Sequence, residues 1–247
     1  MVNDHIQAFS LDGEIGQTSV QTHKIELLPN AEPAVEPLRR RAQIQVEETC
    51  RQVKQLLKEG KIEESASPWA SAYVLAKKKN GEYRLCIDFR RLNDVTKKMV
   101  YPLPNIDECL ETLSGKRYFT QLDFRSGFWQ IAMDESSKEL TAFRTGDGLY
   151  QFKRMPFGLT NAPATFQKMI NTVLAGLKGM NLQVFIDDVC IATKSWSELL
   201  AILQQTLETI IDANLKIKAD KCVFSASTIK FLGYEISEQV TDKIRRN

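Results

Sequence analysis

One segment constrains this chain more than any other: an apolar run broken by two adjacent carboxylates, Val184-Phe185-Ile186-Asp187-Asp188-Val189-Cys190-Ile191. Ionised carboxylates in apolar surroundings need a cation or hydrogen bonds to compensate them. Gln183–Thr193 therefore reads as a buried hairpin with the acids at its tip. A wet turn would accommodate the pair equally well, because Asp is common at turns. A third acid shifts the balance. Asp123 ends a second apolar strand, Tyr118–Asp123, and strand pairing would bring it against the Asp187-Asp188 tip. Three converging carboxylates make a site for a hard cation, Mg²⁺ with Mn²⁺ as the alternative, which also binds substrate phosphates. Two such ions about 4 Å apart would stabilise both the attacking and the leaving oxygen of a phosphoryl transfer.

Composition agrees with chemistry of this kind. The only histidines are His5 and His23, both in the polar N-terminal lead, so no His-based general base or metal site is expected. Cys50, Cys86, Cys109, Cys190 and Cys222 form no C-x-x-C pair, which favours reduced thiols in an intracellular protein. No apolar run approaches membrane-spanning length, so no membrane association is expected. Net charge is only +2, but Lys77, Lys78, Lys79, Arg84, Arg90, Arg91, Lys97 and Lys98 outweigh Glu82, Asp88 and Asp94, a local excess that suits a polyanion. A solvated strand pair with exposed lysines would give the same pattern.

Along the chain, residues 1–36 read as an extended lead with one strand at His23–Leu28. A helix is expected over Leu38–Glu59, with Ile44, Val53, Leu56 and Leu57 on one face and Gly60 ending it. Strands Ala72–Ala76 and Tyr83–Phe89 are joined by Lys77–Gly81, where Asn80-Gly81 signals a hairpin. A helix over Ile106–Leu113, a short helix after Gly127 and a strand at Tyr150–Phe152 follow. Thr160 or Asn161 is placed to cap a helix carrying Phe166, Met169, Ile170, Val173, Leu174 and Leu177 at helical spacing. Ser195-x-x-Glu198 is a capping box opening a helix with Leu199, Leu203, Leu207 and Ile210 on one face. Strands near Cys222–Phe224 and Ile229–Ile236 would form a last hairpin. This irregular mixture indicates α+β.

These blocks together resemble the reverse transcriptases of gypsy-like LTR retrotransposons. Gln121-Leu122-Asp123-Phe124-Arg125-Ser126-Gly127-Phe128 is similar to their first catalytic motif, and Phe185-Ile186-Asp187-Asp188 to their aromatic-x-Asp-Asp motif. Further blocks in the family's order are Ser67-Pro68-Trp69-Ala70-Ser71, Arg84 through Asn93, Tyr101-Pro102-Leu103-Pro104, Thr141-Ala142-Phe143-Arg144-Thr145, Met155 through Phe166, and Phe231-Leu232-Gly233. The resemblance implies a right-hand polymerase fold: fingers at 37–98 and 131–161, and palm at 99–130 and 162–247, with an antiparallel palm sheet, packed helices and the thumb largely absent. It implies that Asp123, Asp187 and Asp188 are catalytic and ligate Mg²⁺. Phe128 would lie beneath the incoming sugar and exclude a 2′-hydroxyl. Lys78 (or its neighbours Lys77 and Lys79) and Arg84 would bind the triphosphate, with Phe157 beside that pocket. Phe185 and the primer-grip residues Leu232, Gly233 and Tyr234 would contact the primer. Expected partners are an RNA or DNA template with its primer, dNTPs, and the RNase H, integrase and protease of a parent polyprotein.

The chain departs from the family pattern where Phe185 replaces the usual Tyr, which loses a hydroxyl hydrogen bond but keeps a ring. Little sequence follows Gly233, so a remnant that binds nucleic acid without synthesis is the alternative reading. An RNA-dependent RNA polymerase is disfavoured by the bulky Phe128.

Overall fold

The computed structural model describes residues 3–243 apart from 79, 80, 103, 178, 180 and 240. In chain order the strands are β1 (Thr18–His23), β2 (Ile62–Glu64), β3 (Ala72–Lys77), β4 (Tyr83–Asp88), β5 (Tyr118–Asp123), β6 (Ile131–Met133), β7 (Phe143–Arg144), β8 (Leu149–Phe152), β9 (Leu182–Phe185), β10 (Asp188–Thr193), β11 (Val223–Ala226), β12 (Thr228–Phe231), β13 (Tyr234–Ser237) and β14 (Thr241–Lys243). The α-helices are α1 (Gln43–Lys58), α2 (Arg90–Asp94), α3 (Ile106–Leu113), α4 (Glu135–Lys138), α5 (Ala162–Val173) and α6 (Trp196–Asp212). They form two compact units. One comprises Met1–Val20, Val100–Gln130 and Pro163–Asn247; the other comprises Gln21–Met99 and Ile131–Ala162.

The first unit is built on an antiparallel sheet in the order β11-β5-β10-β9. β10 is its best-buried strand, with Val189, Cys190, Ile191 and Ala192 fully enclosed. Such an unbroken apolar run suits a strand covered on both faces. Helix α6 buries Leu199, Ile202, Leu203, Leu207 and Ile210 at helical spacing, and α5 buries Phe166, Met169 and Ile170. Ser195 caps α6 by accepting from the Glu198 N–H, but the Glu198 carboxylate accepts from Asn181 instead of returning to Ser195, so only half of the expected box forms.

The expected last hairpin is corrected. The strand after Cys222 joins β5 as an edge of the acid-bearing sheet, while β12 pairs with β13. A bulge explains the choice: Ser225 takes φ +54°, and its N–H reaches the Thr120 hydroxyl on β5 (3.2 Å). The lead is corrected too, since its strand is Thr18–His23 and not His23–Leu28. The Ile25 N–H is taken by the Ser137 hydroxyl (2.9 Å), and Leu27 makes only an isolated bridge to Thr96.

The second unit pairs β3 with β4 in register from Ala72↔Asp88 to Lys77↔Tyr83, and orders a second sheet as β2-β8-β7. Its core stacks Phe89, Phe143 and Phe152, with ring centroids at 6.1 Å (Phe89–Phe152) and 5.3 Å (Phe143–Phe152). Of the Asn80-Gly81 turn signal, Asn80 lies outside the described residues; Gly81 has φ +87°. Helix α1 begins at Gln43 and not at Leu38, because Arg41 is drawn onto the Tyr73 ring (4.3 Å) and donates to the Tyr73 carbonyl. Ile44, expected on the buried face, is 67% exposed. The Asn161 side chain is occupied by the Lys97 carbonyl and the Met99 N–H.

Among the described residues no helix is long and apolar enough to cross a membrane, and all five cysteines are free thiols.

Candidate active site

The acid-bearing geometry follows from register. Asp188, first residue of β10, sits opposite Asp123, last residue of β5. On its other side Asp188 is paired with Phe185, so β9 and β10 are joined by the two-residue loop Ile186-Asp187. Ile186 there takes φ +52°, a conformation unfavourable for a β-branched residue and usually left to Gly or Asn. A buried amide holds it. Gln167 of α5, fully enclosed, accepts the Ile186 N–H at 2.7 Å.

The three carboxylates have different environments. Asp123 receives the Lys221 ammonium at 3.2 and 3.3 Å. Asp188 accepts from the Gln121 amide at 3.2 Å. The Oδ1 of Asp187 is sealed from solvent with no hydrogen-bond partner among the described residues. Burial first, then the negative charges of Asp123 and Asp188, together raise the Asp187 pKa to about 6, with Lys221 partly opposing them. Burial also raises Asp188, against the Gln121 hydrogen bond.

Crowding around Asp187 depends on Gly127. A Cβ there would lie 2.8 Å from the Asp187 Oδ1 and 2.8 Å from the Phe166 ring. The short helix expected after Gly127 is a 3-10 turn, Gly127–Gln130. It carries Phe128, 9% exposed, whose ring lies 5.8 Å from that of Phe166. The β12–β13 hairpin turns at Leu232 (φ +50°) and Gly233 (φ +84°), the two positive values of a type I′ turn. Leu232, Tyr234 and Phe185 pack against one apolar cluster drawn from α3, β5, β10, β12 and β13. Three of the four expected primer residues, all but Gly233, are thus gathered on a common core.

Lys78, Arg84 and Phe157 belong to the second unit. Lys78 is paired with Glu82 at 2.9 Å, and Arg84 is exposed at the β3–β4 hairpin. Phe157 is 53% exposed, on a loop fixed by Asn93, which donates to the Gly158 carbonyl (2.8 Å) and accepts from the Thr160 N–H (2.9 Å). Arg90 is paired with Asp88 of the same segment, and the local cationic excess is reduced further by the pairs Arg91–Glu36 and Lys97–Glu26, whose acids lie outside it.

Lys221, Gln121, Gln167 and the crowding at Gly127 were not anticipated from sequence. Gln167 did leave a signal: one turn before Ile170 it falls on the apolar stripe of α5, where a polar residue needs a partner.

Among the described residues no group of three or more His, Cys, Asp or Glu could hold a metal ion as it stands. The donor set nevertheless suits a hard divalent cation. All three groups are oxygen donors, one oxygen is buried without a partner, and their mutual repulsion calls for positive charge beyond the single Lys221.

Residues 76–236 match the family model described as reverse transcriptase (RNA-dependent DNA polymerase). The chain is 43% identical over 206 residues to the Retrovirus-related Pol polyprotein from transposon 297 of Drosophila melanogaster, covering 81% of this chain and 19% of that protein. It is 34% identical over 244 residues to the corresponding polyprotein of transposon 412, covering 96% and 20%. The chain thus spans about a fifth of the curated relatives it matches. The fold is similar to that of the foamy viral protease-reverse transcriptase solved with an RNA/DNA hybrid, at a TM-score of 0.87 and 20% identity, covering 98% of this chain and 32% of that one. A second structure of the foamy viral protein, with dsDNA, gives 0.84 at 22% identity, covering 98% and 50%.

Proposed function

Because the chain belongs to the reverse transcriptase family, with relatives among the Pol polyproteins of gypsy-like transposons, we propose that it performs template-directed transfer of dNMP from a dNTP to a primer 3′-hydroxyl. The observation that carries the proposal is the register placing Asp188 opposite Asp123, with the unpartnered Asp187 oxygen beside them. On this reading the first unit is the palm and the second the fingers. Asp123, Asp187 and Asp188 would hold two Mg²⁺ ions, or Mn²⁺, which when bound supply Lewis-acid stabilisation of the attacking and leaving oxygens.

The chain's own residues do the positioning. Phe128, backed by Phe166, supplies the bulky apolar ring that on this reading excludes a 2′-hydroxyl and so selects deoxynucleotides. Lys78 and Arg84 bind the triphosphate, Lys78 by exchanging the Glu82 carboxylate for a phosphate oxygen. Phe157 stands beside that pocket. Phe185, Leu232, Gly233 and Tyr234 carry the primer end, Phe185, Leu232 and Tyr234 being held by their shared core. An RNA or DNA template with its primer is the nucleic-acid partner, and RNase H, integrase and protease are the neighbours expected in a parent polyprotein.

Primer extension on poly(rA)/oligo(dT) with Mg²⁺ tests this reading. Wild-type chain should incorporate dTTP and Asp187→Asn should lose about a hundredfold or more. Equal, background-level incorporation by both would overturn it.

A further inference from the structure

Beyond Asp123 the backbone is held by a second, much smaller ladder. The Arg125 N–H donates to the Lys216 carbonyl (2.9 Å), and the Lys218 N–H donates to the Asp123 carbonyl (2.8 Å), so Phe124 bridges Ile217 antiparallel. On its other edge the Ile217 N–H donates to the Ala8 carbonyl (2.8 Å), and its carbonyl accepts the Ser10 N–H (2.9 Å), a parallel bridge to Phe9. The segment around Ile217 is therefore the middle of three, lying between the exit of the acid strand and a stretch some two hundred residues away in sequence.

Side chains tie the three together. Ala8, Leu215 and Ile217 are fully buried, Phe9 is 5% exposed and Phe124 3%. The Lys216 ammonium donates to the Gln7 carbonyl (2.6 Å) and lies 3.8 Å from Glu14. Gln130, fully buried, donates to the Arg125 and Lys216 carbonyls and accepts the Lys216 N–H. At the far end of the stretch Gly16 crosses the chain so closely that a Cβ would lie 2.2 Å from the Asn214 carbonyl oxygen. The Asn214 amide then donates to the Gln17 carbonyl (2.9 Å).

We propose that residues 7–17 form a positioning strap for the acid site, clamping Lys216–Lys218 so that the exit of β5, and with it Asp123, stays fixed opposite Asp188. β5 ends at Asp123, so nothing in the catalytic sheet restrains the backbone on its C-terminal side. Without the strap that side would be held by the Gln130 hydrogen bonds and by an Ile217 segment with one free edge. The geometry of the strap does not depend on the polymerase reading, which supplies only the use of the site.

The test uses the full chain with Gly16→Ala, which drives a methyl into the Asn214 carbonyl, and Lys216→Met, which removes the tie to Gln7 without a clash. Lys216→Arg serves as the conservative rescue. Amide hydrogen exchange and Mn²⁺ binding followed by electron paramagnetic resonance are read without nucleotide. Both disruptive variants should speed exchange at Arg125 and Lys218, Lys216→Met by about tenfold, the effect of losing one charge-assisted hydrogen bond, and raise the Mn²⁺ dissociation constant severalfold. Exchange within β10 should stay as in wild type, and Lys216→Arg should restore both readouts. Unchanged exchange at Arg125 and Lys218, or faster exchange with unchanged Mn²⁺ affinity, overturns the proposal. If Gly16→Ala fails to fold, Lys216→Met decides alone. A wild-type chain that binds Mn²⁺ but extends no primer refutes the polymerase reading and leaves the strap to be judged by exchange and affinity.

Discussion

Replacing Gly127 with Ala adds one methyl at the most crowded point of the site. The backbone there is not in the left-handed region, so any cost is steric. The new carbon would lie 2.8 Å from both the Asp187 Oδ1 and the Phe166 ring, well inside ordinary contact. Phe166 cannot yield alone. It is fully buried and lies edge-on to Phe124 at 5.7 Å and against Phe128 at 5.8 Å. Overpacking of this kind costs about 1–3 kcal/mol. In a chain of this size each kcal/mol lowers the melting temperature by about 2–4 °C, so a fall of about 2–12 °C is expected. Displacing Asp187 or Phe128 by roughly 1 Å would cost about a hundredfold in primer extension. Thermal unfolding and single-nucleotide extension measure the two effects separately. Phe166→Leu makes room for the methyl, so the double variant should be more stable than the sum of the single variants by about 0.5–3 kcal/mol. A Gly127→Ala chain that melts and extends like wild type would refute the reasoning, as would strict additivity in the double variant.

Phe128→Ala should admit ribonucleotides, lowering dNTP/NTP discrimination by about 10- to 100-fold; unchanged discrimination removes the ring from that role. Gln167→Leu leaves the Ile186 N–H without its acceptor and should cost about 1–3 kcal/mol in urea unfolding, whereas a smaller loss would mean that solvent replaces it. His23 is 1% exposed, and burial lowers its pKa from 6.5 to about 4. Between those values the unfolded chain binds a proton that the folded chain refuses, so stability should fall as pH drops through that window, by at most about 3 kcal/mol. His23→Gln should flatten that slope in urea midpoints measured at pH 7.5 and 4.5; an unchanged slope would assign the loss to other groups. Template affinity should weaken steeply with salt, although the pairing of Lys78, Arg90, Arg91 and Lys97 with carboxylates should keep the slope below the count of cations.

Where a side chain's placement is set by its own strand, the sequence was a sufficient guide. Two acid-ended apolar strands have one economical arrangement, and the Asp188↔Asp123 register is that arrangement. Helix α6 was legible for the same reason, since its apolar spacing and its Ser195 cap are local. What stayed hidden depends on partners distant in sequence. Nothing near Lys221 says that its ammonium meets Asp123, 98 residues earlier. Nothing near Ser225 says that a bulge sends β11 to β5, because Thr120 supplies the acceptor. The lead misled because His23–Leu28 alternates like a strand while its backbone groups are met by Ser137 and by an isolated bridge. The cationic stretch between Lys77 and Lys98 overstated its field, because charge counting cannot see that Glu36 and Glu26 fold onto Arg91 and Lys97.

Backbone strain at the acid hairpin has a traceable support. Holding Ile186 at φ +52° costs about 1–3 kcal/mol, which an isolated hairpin would release by slipping or opening. The Gln167 side chain opposes this by accepting the Ile186 N–H, while its amide donates to Asn171 (3.1 Å) and, at 3.4 Å, to the Val184 carbonyl. Asn171 in turn donates to the Tyr101 hydroxyl at 2.9 Å. Amide and hydroxyl dipoles linked in this way, from the buried Gln167 out to the half-buried Asn171 and Tyr101, reinforce one another and are costly to break singly. The tight turn forces Asp187 between β9 and β10, where one of its oxygens is buried beside two other carboxylates. A relaxed Gly or Asn at position 186 would let the loop tilt and wet that oxygen, easing the repulsion that makes the site receptive to added positive charge. The hydrogen bonds from Tyr101 through Asn171 and Gln167 to Ile186 thus support the strained turn that carries Asp187, and they tie a tyrosine far away in sequence to the acid hairpin.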